Sequence, residues 1–298
     1  MAKQKGHKFR LMTYNIGGGR RDFGSSLAKI IKVVQETAPD VLVVQEATRF
    51  QDADGNWHSP LDQTAHVGEL QVKNHAHFGR TLSLREHMHV QKSLFVESIF
   101  NDWLDWQQGN AILSRWEFVR LGDPSKPGMP RNVPLFQAPL YQGNRDTDPR
   151  CALLARVAKA PIFPFVVGTH LTTLVGERGS HSLPGKDEEA RSMRIEQTRR
   201  LLDLLRVHVL EREEVVFVLG DFNATAGEPC ISSVLEGEGG FVRLAPARGP
   251  NHTHPKVPDE PIDHIFMYPR SRLLEYDCWT VDSGASDHFP VVADVKVS

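Results

Sequence analysis

The chain has 298 residues, 40% of them hydrophobic and 24% charged, enough to build a substantial core in one or two domains. Lys plus Arg number 35 against 37 Asp plus Glu, a formal charge of −2, which lacks the basic excess of a protein that grips nucleic acid non-specifically. Cys151, Cys230 and Cys278 are widely spaced and odd in number, and no apolar run suits a secretory signal or a bilayer span, so the expectation is a reduced, cytoplasmic protein without a disulfide framework.

Residues 1–8 are basic and expected to be flexible. Phe9–Tyr14 alternates as a strand and runs into Asn15-Ile16-Gly17-Gly18-Gly19. Ser25 or Ser26 then caps a helix in which Leu27, Ile30, Ile31 and Val34 recur at helical spacing, until Pro39-Asp40 breaks it. Val41–Val44 is a continuous apolar run of the kind buried on both faces, ending at Gln45-Glu46. Stretches 51–101 and 123–148 are poorly patterned, and loops of that length in a compact domain carry function or move. Ala111–Leu113, Leu153–Val157 and Pro164–Gly168 read as strands, the last leading to Thr169-His170. Asp187–Glu211 is the longest helical stretch. Its Ala190, Met193, Leu201, Leu204, Leu205 and Val209 form one apolar stripe, with Arg191, Arg194, Arg199 and Arg200 outside it. Val215–Leu219 is a buried strand that runs into Gly220-Asp221-Phe222-Asn223, and Pro229 suits the first turn of a short helix through Leu235. Ile262–Met267, Tyr276–Thr280 and Val291–Val297 complete the strands, with Ser286-Asp287-His288 before the last. No repeat or linker divides the chain, so residues 1–298 are expected to form one domain. The strand spacing is too irregular for βαβ alternation and predicts two stacked sheets with helices outside them.

Acids, amides and histidines fall at the edges of these strands. Asn15, Glu46, His170 and Asp221 each end one, Asp263 opens one, and Asp287-His288 precedes one. Strands ending at one rim pool such side chains in a single cleft, where carboxylates repel unless a cation neutralises them. Oxygen donors without cysteine suit a hard cation such as Mg²⁺ or Mn²⁺. Hydrolysis of a phosphate ester needs this set: a metal for phosphoryl charge, a base for water, and a cationic donor for the leaving group. Any single Asp after an apolar strand is often only a turn former; a series in order is harder to explain that way.

Thr13-Tyr14-Asn15, Val44-Gln45-Glu46, Gly109-Asn110-Ala111-Ile112-Leu113-Ser114-Arg115, Gly168-Thr169-His170-Leu171, Gly220-Asp221-Phe222-Asn223, Ile262-Asp263-His264-Ile265 and Ser286-Asp287-His288-Phe289-Pro290 resemble the ordered motifs of the endonuclease/exonuclease/phosphatase, or DNase I-like, superfamily. The resemblance spans Leu11 to Val295. It implies an α/β (α+β) fold, a four-layer α/β/β/α sandwich of two packed, mainly antiparallel mixed sheets. It also implies a phosphodiesterase or phosphomonoesterase dependent on Mg²⁺ or Mn²⁺. Glu46 is then the principal metal ligand, with Asn15 and Asp287 completing or flanking the metal site. Asp221 orients or deprotonates water, and Asn223 holds the phosphate or the base. Asp263 fixes His288 and raises its pKa, making an imidazolium for the transition state or leaving oxygen, and His170 is a second imidazole facing the phosphate. Asn15 also counts as a phosphate contact, together with Arg150 in Asp148-Pro149-Arg150-Cys151-Ala152. For Arg150 a surface salt bridge is the equal alternative. The implied substrate is a phosphate ester: nucleic acid, nucleotide, phospholipid head group or inositol phosphate, acted on by a monomer with no membrane span. The near-neutral charge argues against a dedicated duplex-DNA enzyme, and the tryptophan–threonine–aspartate–arginine stretch of inositol polyphosphate 5-phosphatases is missing. A non-catalytic binding scaffold is the other class, and it predicts loss of site residues, yet every expected position is filled.

Other signals rank lower. His75-Ala76-His77 and His87-Met88-His89 offer four imidazoles that would suit Zn²⁺, against the blander reading of surface or substrate-loop histidines. His252 and His254 either line the cleft mouth or sit on an exposed loop. Gly17-Gly18-Gly19-Arg20-Arg21 lacks P-loop spacing and reads as a flexible turn. Trp103, Trp106 and Trp116 are base-stacking candidates, but such tryptophans are more often core or rim packing.

Overall fold

Strand β1 (His7–Asn15) lies between two partners, β2 (Val41–Gln51) in parallel and β13 (Val291–Val297) antiparallel. This computed structural model describes residues 6–17, 25–58, 75–87, 92–179 and 181–298. Further antiparallel strands extend the first sheet: β12 (Leu273–Thr280) beside β13, β5 (Asp105–Ser114) beside β2, and β4 (His75–Ser83) beside β5. The short β3 (Trp57–His58) pairs with the far end of β2, giving seven strands. The second sheet has six. Its centre is the parallel pair β8 (Phe165–His170) and β9 (Val216–Asp221). β7 (Arg150–Arg156) and β6 (Arg131–Phe136) flank β8, while β11 (Asp263–Tyr268) and β10 (Val242–Arg243) flank β9, all antiparallel.

The alternation of side chains along each strand builds four layers. Leu11, Val43 and Ile112 of the first sheet face Leu153, Val166, Phe217, Ile265 and Met267 of the second in one shared core. The other face of the first sheet, with Met12, Tyr14, Leu42 and Val44, packs under Ile30, Val33 and Val34 of α1 (Ser25–Thr37). Val167, Val218 and Phe266, on the outer face of the second sheet, pack under Leu201, Leu202 and Leu205 of α4 (Lys186–Leu205). Ile231, Val234 and Leu235 of the helical segment Cys230–Glu238 join them. The sheets approach closely at Gly168, where a Cβ would come within 2.7 Å of Val43 Cγ1. The four-layer α/β/β/α sandwich expected of the sequence is the observed fold. All three cysteines are buried and free. Among the described residues no helix is long and apolar enough to cross a membrane.

Several elements depart from the sequence reading. His7 and Lys8 belong to β1 rather than to a flexible end, because they pair with Val297 and Lys296. β2 does not end at Gln45-Glu46 but continues to Gln51 through a break in register between Val44 and Ala47. The two poorly patterned stretches carry β3, β4, α2 (Leu84–His87), α3 (Lys92–Phe100) and β6, since edge elements half-covered by neighbours need no clean apolar period. Arg194 is not outside the apolar face of α4. It is 1% exposed, held by charges that helical periodicity does not register. The caps proposed at Ser25 or Ser26 concern side chains outside the described set, and Gly18 to Arg21 lie wholly outside it.

Candidate active site

Three strands of the second sheet end in register at one rim, so His170, Asp221 and Asp263 stand side by side across β8, β9 and β11. Gly220, just before Asp221, is required by this pairing, because a Cβ there would collide with the Thr169 carbonyl. Asn15 ends β1 at the same rim. Glu46 lies in the break of β2, where two residues oppose one on β5, and adopts φ +54°; such a bulge re-aims a side chain out of the sheet's alternation. At this rim lies a cleft of about 220 Å³ whose lining includes Glu46, Asn110, Arg150, His170, Asp221, Asn223, Asp287 and His288.

Hydrogen bonds knit the carboxylates together. The Asn15 side-chain amide donates to Asp221 Oδ2 at 3.0 Å and to Glu46 Oε1 at 3.4 Å, while its oxygen accepts the Gly17 N–H at 3.0 Å. Asn223 donates its backbone N–H to Asp221 Oδ1 at 2.8 Å and its side-chain amide to the Leu171 carbonyl at 3.1 Å. His288 Nδ1 lies 2.8 Å from Asp263 Oδ2, and its Nε2 lies 3.7 Å from Asp221 Oδ2. His170 Nε2 is 3.5 Å from the same Asp221 oxygen. Ser286 fastens the last motif to the first by donating to the Asn15 carbonyl at 2.9 Å.

Burial sets the protonation of these groups. It opposes the charged form of His288, but Asp263 and Asp221 outweigh it and push the imidazole up to about 10. Burial, then the charges of Arg150 and His288, holds His170 well below the ordinary histidine value and keeps it neutral. Asp221 is raised by burial and by neighbouring Asp263, and Glu46 is raised by burial. Two acids shifted upward and two imidazoles shifted in opposite directions thus share one pocket, a condition that clusters at sites of chemistry.

The donor set fits a hard cation. Ligand atoms of Asp221, Asp263 and His288 lie within 4.8 Å of one another, close enough to hold a metal ion. His288 already engages Asp263 through Nδ1, which makes that trio a proton relay first. Glu46 and Asp287 face the same cleft with oxygen ligands, and burial of Glu46 penalises its charge in the absence of a cation. Asp263 Oδ1 and Arg150 Nε are buried without a hydrogen-bond partner among the described residues.

Arg150 is 5% exposed in the cleft wall and pairs with Asp148 at 3.6 Å, so the salt bridge considered for it is present but lies in the cleft wall rather than on the surface. His254 lines the cleft, whereas His252 packs on Phe289. Trp106 is core, Trp103 stacks on Phe50, and Trp116 meets Phe9 edge-on. His75 and His77 sit on β4, and His87 turns back to the Ser83 carbonyl at 2.9 Å. With His89 outside the described residues, no cluster for zinc forms among those described.

Sequence reasoning missed a charged support beneath the cleft. Arg178 donates to the Asn223 carbonyl and meets Glu177 at 3.1 Å and Glu228 at 3.6 Å. The same two glutamates clamp Arg194 at 2.8 and 2.7 Å, and Arg194 also donates to the Thr172 carbonyl at 3.1 Å. The segment after His170 is thereby lashed to the segment after Asp221. No periodicity or spacing marks these residues in the sequence. Asn110, Lys256 and Arg145 also line the cleft, of which only Asn110 falls within a motif.

The sequence profile described as the Endonuclease/Exonuclease/phosphatase family matches residues 12–288. Among solved structures, an endonuclease/exonuclease/phosphatase from Beutenbergia cavernae is 25% identical, with a TM-score of 0.64 over 98% of this chain and 72% of that one. Truncated TDP2 from Caenorhabditis elegans is 17% identical, with a TM-score of 0.58 over 97% of each chain. The human Nocturnin catalytic domain with bound sulfate anion is 15% identical, with a TM-score of 0.61 over 98% of this chain and 95% of that one. No curated protein matches the chain.

Proposed function

The chain belongs to the endonuclease/exonuclease/phosphatase family, and from that membership we propose that it is a Mg²⁺- or Mn²⁺-dependent phosphoesterase working by in-line attack of water. The observation that carries the proposal is the His288–Asp263 pair at 2.8 Å facing Asp221, with half-buried Glu46 lining the same cleft as Asp221 and His288.

Glu46 and Asp287 would hold the ion, with the Asn15 amide keeping Glu46 and Asp221 apart and oriented. When bound, the ion supplies positive charge against the phosphoryl oxygens. Asp221, made a stronger base by burial and by neighbouring Asp263, takes the proton of the attacking water. Asn223 fixes Asp221 through its backbone N–H. His288 stays an imidazolium at neutral pH and stabilises charge on the phosphorane or protonates the leaving oxygen. His170, kept neutral, offers a hydrogen bond without adding charge, and Arg150 presents its free Nε–H to a non-bridging oxygen. A phosphodiester or phosphomonoester fits this machinery.

Hydrolysis of bis-p-nitrophenyl phosphate with Mg²⁺ or Mn²⁺ tests the reading. Turnover should vanish with EDTA and fall by about 10²-fold or more in Asp221→Ala. Metal-independent turnover, or a rate untouched by the substitution, would sink it. DNA, RNA, sphingomyelin and inositol phosphates then define the substrate.

A further inference from the structure

The loop 251–257 closes one side of the cleft, and Thr253 pins it. The buried Thr253 hydroxyl oxygen accepts the N–H groups of Ile262 at 3.0 Å and Asp263 at 3.2 Å, and its carbonyl accepts the Phe289 N–H at 2.7 Å. One residue therefore ties the loop to the segments that carry both Asp263 and His288. His254 follows directly. Its ring meets His288 edge-on, with centroids 4.7 Å apart and planes at 65°.

The Lys256 backbone N–H donates to His254 Nδ1 at 3.0 Å. An imidazole nitrogen that accepts a hydrogen bond carries no proton, so the ring is neutral and its proton sits on Nε2. That Nε2 lies 3.9 Å from Asp287 Oδ2, beyond a direct hydrogen bond. The backbone has fixed the tautomer, and the outward N–H of a cleft-lining residue is left without an acceptor among the described residues.

We propose that His254 is a substrate-binding residue, a neutral Nε2–H donor to an oxygen of the phosphate ester beside His288. The inference rests on the phosphoesterase reading above. Its counterpart His288 carries charge through Asp263, whereas His254 is held neutral by a main-chain group and adds direction rather than charge.

His254→Phe keeps the edge contact and removes the donor, and His254→Gln keeps a side-chain N–H and removes the ring. Two readouts apply: kcat/KM on bis-p-nitrophenyl phosphate with Mg²⁺, and the Kd for inorganic phosphate by calorimetry. A hydrogen bond to an anionic oxygen predicts that the Phe variant loses about tenfold to a hundredfold in both, with Gln within about threefold of the parent. Thermal midpoints of all three proteins should agree. A Phe variant matching the parent in both readouts overturns the proposal, as does a Gln variant that falls as far as Phe. If the parent protein fails to hydrolyse any ester, the phosphoesterase reading fails instead, and the phosphate titration still decides whether His254 binds an anion.

Discussion

Glu46 and Asn223 hold φ at +54° and +49°, backbone conformations that most side chains avoid and that persist only where the surroundings impose them. Both border the cleft, Glu46 held by the Asn15 amide and Asn223 by Asp221. Glu46→Gln should therefore leave the fold intact while removing the anchor proposed for the ion. The parent protein should gain thermal stability on titration with Mg²⁺, about 2.7 kcal/mol at a hundred times the Kd, and the Gln variant should gain little. An equal gain in both proteins, measured by calorimetry, would place the ion elsewhere. Asp263→Asn tests the relay: losing the carboxylate 2.8 Å from His288 should lower kcat by about 10²–10⁴-fold with an unchanged circular dichroism spectrum. At this scale the sequence was eloquent about identity, since Asn15, Glu46, His170, Asp221, Asn223, Asp263, Asp287 and His288 fall in motifs. It was silent about Arg178, which acts through a main-chain carbonyl that any residue could offer.

Helix α4 shows where pattern fails. Arg194 reads as a solvated charge on a helix, yet it lies 1% exposed between Glu177 and Glu228, partners 17 and 34 residues away. Replacing it with Met leaves Glu177 and Glu228 sharing Arg178 as their remaining partner, at 3.1 and 3.6 Å, and loss of the more deeply buried cation should cost about 3 kcal/mol. Chemical denaturation would reveal this, and a change below about 1 kcal/mol would mean the glutamates are solvated. Strand β11 makes a second case. His264 is buried, donates through Nε2 to the Ala224 carbonyl at 2.8 Å, and is pushed down by burial to about 3. Its folded value lies below the ordinary 6.5, so the unfolded chain binds the proton first and stability falls as pH drops through that window. Between pH 7 and pH 5 the loss from this group should be about 2 kcal/mol. His264→Gln should flatten that acid limb in urea titrations, and an unchanged slope would refute the assignment. β9 was legible because burial on both sides leaves a continuous run, and β13 because half-exposed Asp294 and Lys296 alternate with buried valines. β4 and β6 were not, because half-covered edge strands leave no such trace.

Across the whole molecule, the order of motifs announced the sandwich, but not which carboxylate would meet which amide. Asn15 and Asp221 are 206 residues apart and belong to different sheets, and one amide touches carboxylates from both. The sheets are held by a common apolar core with a tight approach at Gly168. Gly168→Val should wedge them apart and lower kcat together with the thermal midpoint; retained activity at a depressed midpoint would argue that the rim tolerates the shift. The Asn15 bridge has a thermodynamic corollary. A catalytic centre carried on one loop can melt by itself, losing activity while the body stays folded. Here the centre straddles the seam between two sheets, so it has no partial form of its own. Activity and tryptophan fluorescence should vanish at the same urea concentration, as one cooperative transition, and enzyme lost well before fluorescence would reveal a softer rim. Function then serves as a gauge of the seam.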